Sequence, residues 1–364
     1  MGISKYILGK RGYYLKYCNI NNIMSSVRTK SFNLSSHCHG KTKVRVLKVR
    51  RNANRDPSTN SVNTDDKYHD ISEYTVESTL WSPIYSRVFT DDNNNDLVAT
   101  DTQKNTVYVV AKRSQARSPE EFGIDLCKHF LNEYSILTSV EMKVDEIPWR
   151  RAIVQGVQHD HAFEHPGHET WHATVNATRD SNGNIIITNI TSAINNMTVL
   201  KTTQSGFNSF MRDKYTMLPD CTERCLSTHI DCSWTYAVNN NNIVHHDTMN
   251  YNSIRNEARK SMCFAVFGPP QGGVYSESLQ ATIYDMGCVM LTNIPEIQKI
   301  NISTPNVHYL PCVALNTLGR DKVGDDVTSS SHHPPLLFED DIFIPTSEPS
   351  GSIRCTVERE VSDA

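Results

Sequence analysis

No run of this chain reaches the ~20 consecutive apolar residues that a helix needs to cross a bilayer, so no membrane partner is expected. No two of its 10 cysteines form a C-x-x-C pair, and the nearest spacing is Cys221 to Cys225. That spacing excludes a zinc ribbon or a disulfide framework and fits a reducing compartment. Acids are missing from the first 55 residues, Asp56 being the first, although that segment holds 13 of the 36 Lys and Arg. The remainder is therefore acidic, with 23 bases against 40 acids. An acidic body of this kind argues against a nucleic-acid partner. Apolar residues are also scarce, at 38%. Either the protein is elongated or multi-subunit with polar-walled cavities, or Asn-rich loops dilute the average.

What is present begins with a basic N-terminal extension, residues 1–38, read either as a mitochondrial-type targeting segment or as a disordered tail. Structured sequence follows in two units, 39–182 and 183–359, with the same order of elements but no residue-level repeat. In the first unit Val44 and Val46 alternate with charges in a strand over Lys43–Arg51. A polar loop over Arg50–Lys67, a strand over Tyr74–Phe89, a turn at Asp91–Asp96 and a buried strand over Val107–Ala111 come next. Ser118-Pro119-Glu120-Glu121 reads as a capped helix start, continued by the stripe Phe122, Leu126, Phe130 and Tyr134. Val140 to Val144 and Trp171 to Ala177 alternate as strands. The second of these turns at Asp180–Gly183 into a hairpin partner, Ile185–Ile190. The second unit has strands over Asn184–Lys201 and Leu226–Tyr236, helices over Ser253–Phe267 and Ser276–Leu291, and strands over Lys299–Ser303 and Val307–Val313. Asn239–Asn242 and Asp321–Pro349 read as loop insertions. The fold class is α+β.

Chemistry-bearing residues concentrate in two places. Met197–Arg224 reads as a strand ending on Lys201, a polar loop through Gly206 to Phe207, and a surface helix carrying Phe210 and Tyr215. A polar loop, one aromatic ring and an Arg suit a planar, hydrogen-bonding ligand. The second concentration is His159, His161, His165, His168 and His172, within 14 residues. Imidazoles suit transition metals. No H-E-x-x-H spacing accompanies them, however, so surface histidines are the default and no metal ligands are assigned.

Several blocks resemble the urate oxidase (uricase) family. LKTTQSGF with its later Phe, Tyr, Leu and terminal Arg224 resembles the family signature, with Met197 in place of Leu. HGKTKVRVLKV (His39–Val49), VATDTQKNTVY (Val98–Tyr108), DHAF (Asp160–Phe163), SLQATIYDM (Ser278–Met286) and TPNVHYL (Thr304–Leu310) fit further blocks in the family's order. His39, Leu279 and Thr304 depart from the usual Tyr, Val and Leu. The resemblance implies two tandem tunnelling-fold domains per chain, antiparallel sheets backed by helices, assembling into a tunnel-shaped barrel as a homotetramer with active sites between subunits. It also implies oxidation of urate by O₂ to 5-hydroxyisourate and hydrogen peroxide without cofactor.

On that reading Lys41, Thr100 and His308 form a proton relay, the Lys being desolvated with a lowered pKa. Thr100, Asp101, Phe207, Arg224, Leu279, Gln280 and Asn306 contact substrate. Phe207 stacks, Arg224 and Gln280 pair with the amide edges, a backbone N–H of Leu279 or Asp101 completes the edge, and Asn306 holds O₂, water or peroxide above the ring. Lys41 and Thr100 come from one subunit, and Phe207, Arg224 and Gln280 from its neighbour. A purine- or pterin-binding protein without turnover, or a metal oxidase using the His cluster, are the competing readings. The family implies a peroxisomal enzyme; the ending Val361–Ala364 is no S-K-L-type signal, so a mitochondrial or cytosolic location stays open.

Overall fold

The computed structural model describes residues 32–51, 68–239, 242–243, 246–312 and 341–360. The basic extension as far as residue 31, most of the Arg50–Lys67 loop, the middle of the Asn run and most of the 321–349 insertion lie outside the described residues. The first unit contains β1 (His39–Arg50), β2 (Asp70–Trp81), helices α1 (Ser86–Thr90), α2 (Thr100–Arg113) and α3 (Pro119–Glu133), then β3 (Ser139–Ile147). A small hairpin, β4 (Arg150–Val154) with β5 (Val157–Glu164), precedes β6 (Thr170–Arg179). The second unit contains β7 (Ile185–Lys201), β8 (Leu226–Tyr236), the short pair β9 (Val238–Asn239) and β10 (Asn242–Ile243), and α4 (Tyr251–Phe267) with α5 (Leu279–Asn293). It ends with β11 (Ile297–Pro311), β12 (Phe343–Thr346) and β13 (Ser352–Glu358).

The two units share one nine-stranded antiparallel sheet in the order β1-β2-β3-β6-β7-β8-β11, with β12 and β13 both on the outer side of β11. The β6–β7 hairpin carries the sheet from one unit into the next. Period-two patterning sets which face is covered. Ser72, Tyr74, Val76, Ser78 and Leu80 of β2 are buried, and so are Ile230, Cys232, Trp234 and Tyr236 of β8, while their neighbours in each strand are partly exposed. The helices lie on that buried side: Phe122 of α3 stacks on Tyr74 at 5.0 Å, and Met290 of α5 meets Cys232 at 3.8 Å. Within this single chain the sheet is open, not a closed barrel. No described helix is long and apolar enough to cross a membrane.

The capping box is present as expected, with Ser118 Oγ accepting from Glu121 N and the Glu121 carboxylate accepting from Ser118 N. Four expectations need correction. Val107–Ala111 is part of helix α2, not a strand: Val107, Val110 and Ala111 are buried at helical spacing while Tyr108 and Val109 face out. Its β-branched run mimics a strand, but the apolar face repeats with the helical period. The strand expected over Tyr74–Phe89 ends at Trp81, because Ser82 caps a 3₁₀ turn starting at Pro83. The two late strands are one continuous β11, which Pro305 interrupts only in its β8 pairing: Ser303 pairs with Asp231 and Asn306 with Thr228, with nothing between. A proline has no N–H to offer that ladder. No helix follows Phe207; residues 208–220 are turns and irregular chain.

Candidate active site

The candidate residues fall into two groups. Lys41, Thr100 and Asp101 form the first. Gly40 lets β1 approach β2 closely, since a Cβ there would sit 2.2 Å from the Ser78 carbonyl oxygen. The next residue, Lys41, pairs with Ser78. The register then slips before Val44, with Lys43 in the left-handed region at φ 57°, a bulge that redirects the strand beside Lys41. Thr100 and Asp101 open helix α2. A residue that sequence reasoning passed over ties them to Lys41: buried Ser78 Oγ donates to Gln103 Oε1 at 2.8 Å, and Gln103 Nε2 donates to Val98 O at 3.1 Å. The start of the helix is thus locked to the strand position opposite Lys41. Only the TDTQ wording of the block hinted at it. Asp101 is exposed. Lys104 chiefly, then Asn105 and the Lys41 charge, hold its carboxyl below the usual range.

Phe207, Arg224, Leu279, Gln280, Asn306 and His308 form the second group. β7 ends at Lys201 and β8 begins at Leu226, its pairing partner. The loop between them doubles back: Phe207 exchanges two backbone hydrogen bonds with Cys221 (2.7 and 2.9 Å), and Arg224 N donates to Ser205 O at 2.9 Å. Gly206 suits this close approach, because a Cβ would sit 2.9 Å from the Cys221 carbonyl oxygen and displace the Tyr275 hydroxyl. Gln204 and Ser209 flank this turn with φ of 60° and 57°. Left-handed non-glycine residues cost of order 1–3 kcal/mol each and collect where a site is held in place.

The result is a flat wall. Arg224 Cζ lies 5.5 Å from the Phe207 ring centroid, and Phe210 stacks behind Phe207 at 4.9 Å with 9° between planes. Burial pushes the Arg224 guanidinium down from its ordinary value. Leu279 and exposed Gln280 open helix α5, where Ser278 Oγ accepts from Ala281 N at 3.1 Å. Asn306 pairs with Thr228 in β8, and its N–H donates to Gly351 O at 3.1 Å. His308 pairs with Thr346 of β12. Arg224 Nε, Ser205 Oγ and Asn306 Oδ1 are buried without a hydrogen-bond partner. Buried polar atoms are nearly always satisfied, so these three, which all belong to the second group or the loop beneath it, are open to a polar ligand.

The structure does not bring the two groups together in one chain. Lys41 lies on β1 and Asn306 on β11, six strand steps apart, about 29 Å at 4.8 Å per step. They also sit at opposite ends of the strands. The pairing row through Lys41 runs across Ser78, Met142, Val175 and Ile190, level with Thr191, Thr235 and Lys299, seven residues before Asn306. His308, expected to act with Lys41 and Thr100, is placed with Arg224 and Asn306.

The described histidines of the 159–172 cluster are spread over β5, β6 and the chain between them. His159 and His161 sit on the β4–β5 hairpin with ring centroids 4.7 Å apart, and His172 is hydrogen-bonded to Asp145 at 2.6 Å and Thr174 at 2.8 Å. Among the described residues no three His, Cys, Asp or Glu are arranged to hold a metal ion.

The family model described as Uricase matches residues 37–176 and 190–354, spans that contain both groups of candidate residues. The chain belongs to the uricase family. Among curated uricases, uricase-2 isozyme 2 of Glycine max is 38% identical over 322 residues, covering 88% of this chain and 94% of that protein. The uricase of Oryctolagus cuniculus is 33% identical over 326 residues, covering 89% and 94%. The fold agrees: the crystal structure of uricase from Arthrobacter globiformis superposes with a TM-score of 0.72 at 29% identity, over 92% of this chain and 98% of that one. Against this uricase frame the open nine-stranded sheet with helices on one face is the family's α+β architecture in a single chain.

Proposed function

We propose that this uricase-family enzyme oxidises urate with O₂ and water to 5-hydroxyisourate and hydrogen peroxide, without metal or organic cofactor. The observation that carries the proposal is the wall formed by Phe207 and Arg224, a flat ring beside a half-buried guanidinium whose Nε is buried and unpartnered. A planar purine anion stacks on the first and pairs with the second, the guanidinium fork being suited to a carbonyl beside a deprotonated ring nitrogen. Gln280 offers donor and acceptor to an amide edge. The Leu279 or Asp101 backbone N–H completes it, and Asn306 holds O₂ or water over the ring.

Without a cofactor, the protein's main task is to remove protons and make the substrate electron-rich. Lys41 and Thr100 take the proton, and His308 shuttles protons through water. Because these groups lie at opposite corners of the sheet, each site joins Lys41, Thr100 and Asp101 of one copy to the second group of another, as in a homotetramer. The 39–182 and 183–359 units are, on this reading, the two tunnelling-fold domains, and the peroxisome is the proposed compartment.

The test is loss of urate ultraviolet absorbance with O₂ uptake and peroxide release measured in parallel on metal-analysed protein. Equimolar consumption supports the proposal. Binding without turnover would favour a purine- or pterin-binding protein, and chelator-sensitive turnover with stoichiometric metal a metal oxidase.

A further inference from the structure

Three short chain segments build the substrate wall, and one buried ammonium fastens them. Segment 204–207 carries Phe207, segment 221–224 carries Arg224, and segment 274–280 carries Gln280. The segments are laced by backbone bonds: Ser276 N donates to Gln204 O at 2.9 Å, Gly206 N donates to Ser276 O at 3.0 Å, and Arg224 N donates to Ser205 O at 2.9 Å. The central pieces, Ser205 and Ser276, are 0% and 4% exposed. Lys201, the last residue of β7, reaches this node from below. Its side chain is 8% exposed, and its Nζ donates to Val274 O at 2.7 Å and to Ser276 Oγ at 2.9 Å.

This arrangement is expensive for a lysine. Among the described residues it forms no ion pair; Glu223 acts on it only from a distance, with one carboxylate oxygen occupied by Thr203 at 2.8 Å. Its two acceptors are a neutral carbonyl and a neutral hydroxyl. Burying a cation against neutral partners is unfavourable unless the surrounding structure gains by it. The gain here is geometric. An ammonium is a compact charge with three donors, and two of them hold both ends of Val274–Ser276, the segment against which Gln204–Gly206 is laid.

We infer that Lys201 is the positioning residue of the substrate-binding wall: through Ser276 it sets the spacing of Phe207, Arg224 and Gln280, without touching the ligand. The inference rests on the urate reading of that wall. Misplacing binding groups by about 1 Å costs up to ~10²-fold. The proton groups lie outside the three segments that Lys201 fastens: Lys41 and Thr100 at the opposite corner of the sheet, and His308 on β11, paired with Thr346. The predicted signature is therefore a loss of binding with no displacement of the pH profile.

The experiment measures urate binding under anaerobic conditions, where no turnover occurs, and steady-state kinetics in air, for wild type, Lys201→Met and Ser276→Ala. Lys201→Met should raise the urate Kd and KM by ~10-fold or more, with the pH dependence of kcat unchanged. Ser276→Ala, which removes one of the two acceptors, should raise Kd in the same direction by less. A folded Lys201→Met variant with wild-type Kd overturns the inference, as does a displaced pH profile, which would make Lys201 a proton-transfer group. If Lys201→Met does not fold, Ser276→Ala decides: a raised Kd supports the inference and an unchanged Kd overturns it. Wild-type protein that does not bind urate removes the substrate reading and this inference with it. Wild-type binding with unaltered variants overturns the inference alone.

Discussion

Arg224 Nε and Asn306 Oδ1 are buried and without hydrogen-bond partners among the described residues, and on the proposed reading the substrate and O₂ or water complete them. Removing one member of such a buried charged pair costs several kcal/mol, so Arg224→Ala should weaken anaerobic urate binding by that amount. Lys41→Met should instead leave binding close to wild type and lower turnover by ~10²-fold, the scale of general-base catalysis. Equal losses in the two variants would show that binding and proton transfer are not divided as proposed. At this scale the sequence names candidate side chains, because the uricase-like blocks point to Lys41, Thr100, Arg224 and Gln280 directly. It was silent about the side chains that hold them. Gln103 and Lys201 look like ordinary helix and strand-end residues until Ser78 and Ser276 are seen beside them. Phe210, read as part of a helical stripe, turns out to back the Phe207 ring.

Helices α3 and α4, from different halves of the chain, are clasped by an ion pair that neither sequence neighbourhood reveals. Glu120 is fully buried, accepts twice from Arg255 Nη2 at 2.6 Å, and also accepts from Ser192 Oγ at 2.5 Å. Arg255 lies over the Trp171 ring at 4.6 Å. Removing one partner of such a pair costs about 3–5 kcal/mol. Arg255→Met should lower stability by that amount in denaturant unfolding, and Glu120→Leu added to it should restore a large part. Beside the pair sits Glu146 of β3, with Oε2 unpartnered. Burial, with the like charge of Glu120, pushes its carboxyl up to about 8 against the pull of Arg255 and Arg50. The folded state then keeps this proton where the unfolded chain, with an ordinary carboxyl near 4.5, has lost it. Stability accordingly falls as pH rises between about 4.5 and 8, and the penalty is complete above the folded value. Glu146→Gln should flatten that part of the curve, stabilising the protein at pH 8 but not near pH 5. A Tm-against-pH slope unchanged by the substitution would rule the group out. The Ser118 capping box was legible because its parts are three residues apart. Glu120 and Arg255 are 135 residues apart, and only the completed sheet brings them together. The same limit explains α2: its local β-branched run suggested a strand, while the helix-facing burial that decides the matter is tertiary.

For the whole molecule, the decisive feature is that one chain carries the two groups of candidate residues at opposite corners of its sheet and does not bring them together. Lys41 and Asn306 are separated by six strand steps, far more than any side-chain motion spans. The family resemblance divides Lys41 and Thr100 from Phe207, Arg224 and Gln280, but it groups His308 with Lys41 and Thr100, since order along a chain carries no information about which residues the sheet sets side by side. The division makes a prediction that a single-chain site does not share. Lys41→Met and Arg224→Ala subunits should each be nearly inactive as homo-oligomers. When they are unfolded together and reassembled, a mixed pair contains one site with both wild-type groups and one with neither. Under two-fold pairing, random mixing makes about half the pairs mixed and restores about a quarter of wild-type activity. Placing both substitutions in one chain and mixing it with wild type should give no such recovery above the wild-type sites that survive dilution. Absence of complementation, with mixed oligomers demonstrated by a mass tag on one partner, would show that Lys41 and Arg224 act in the same subunit or not in one site at all. Their positions at opposite corners of an open sheet argue for the shared site.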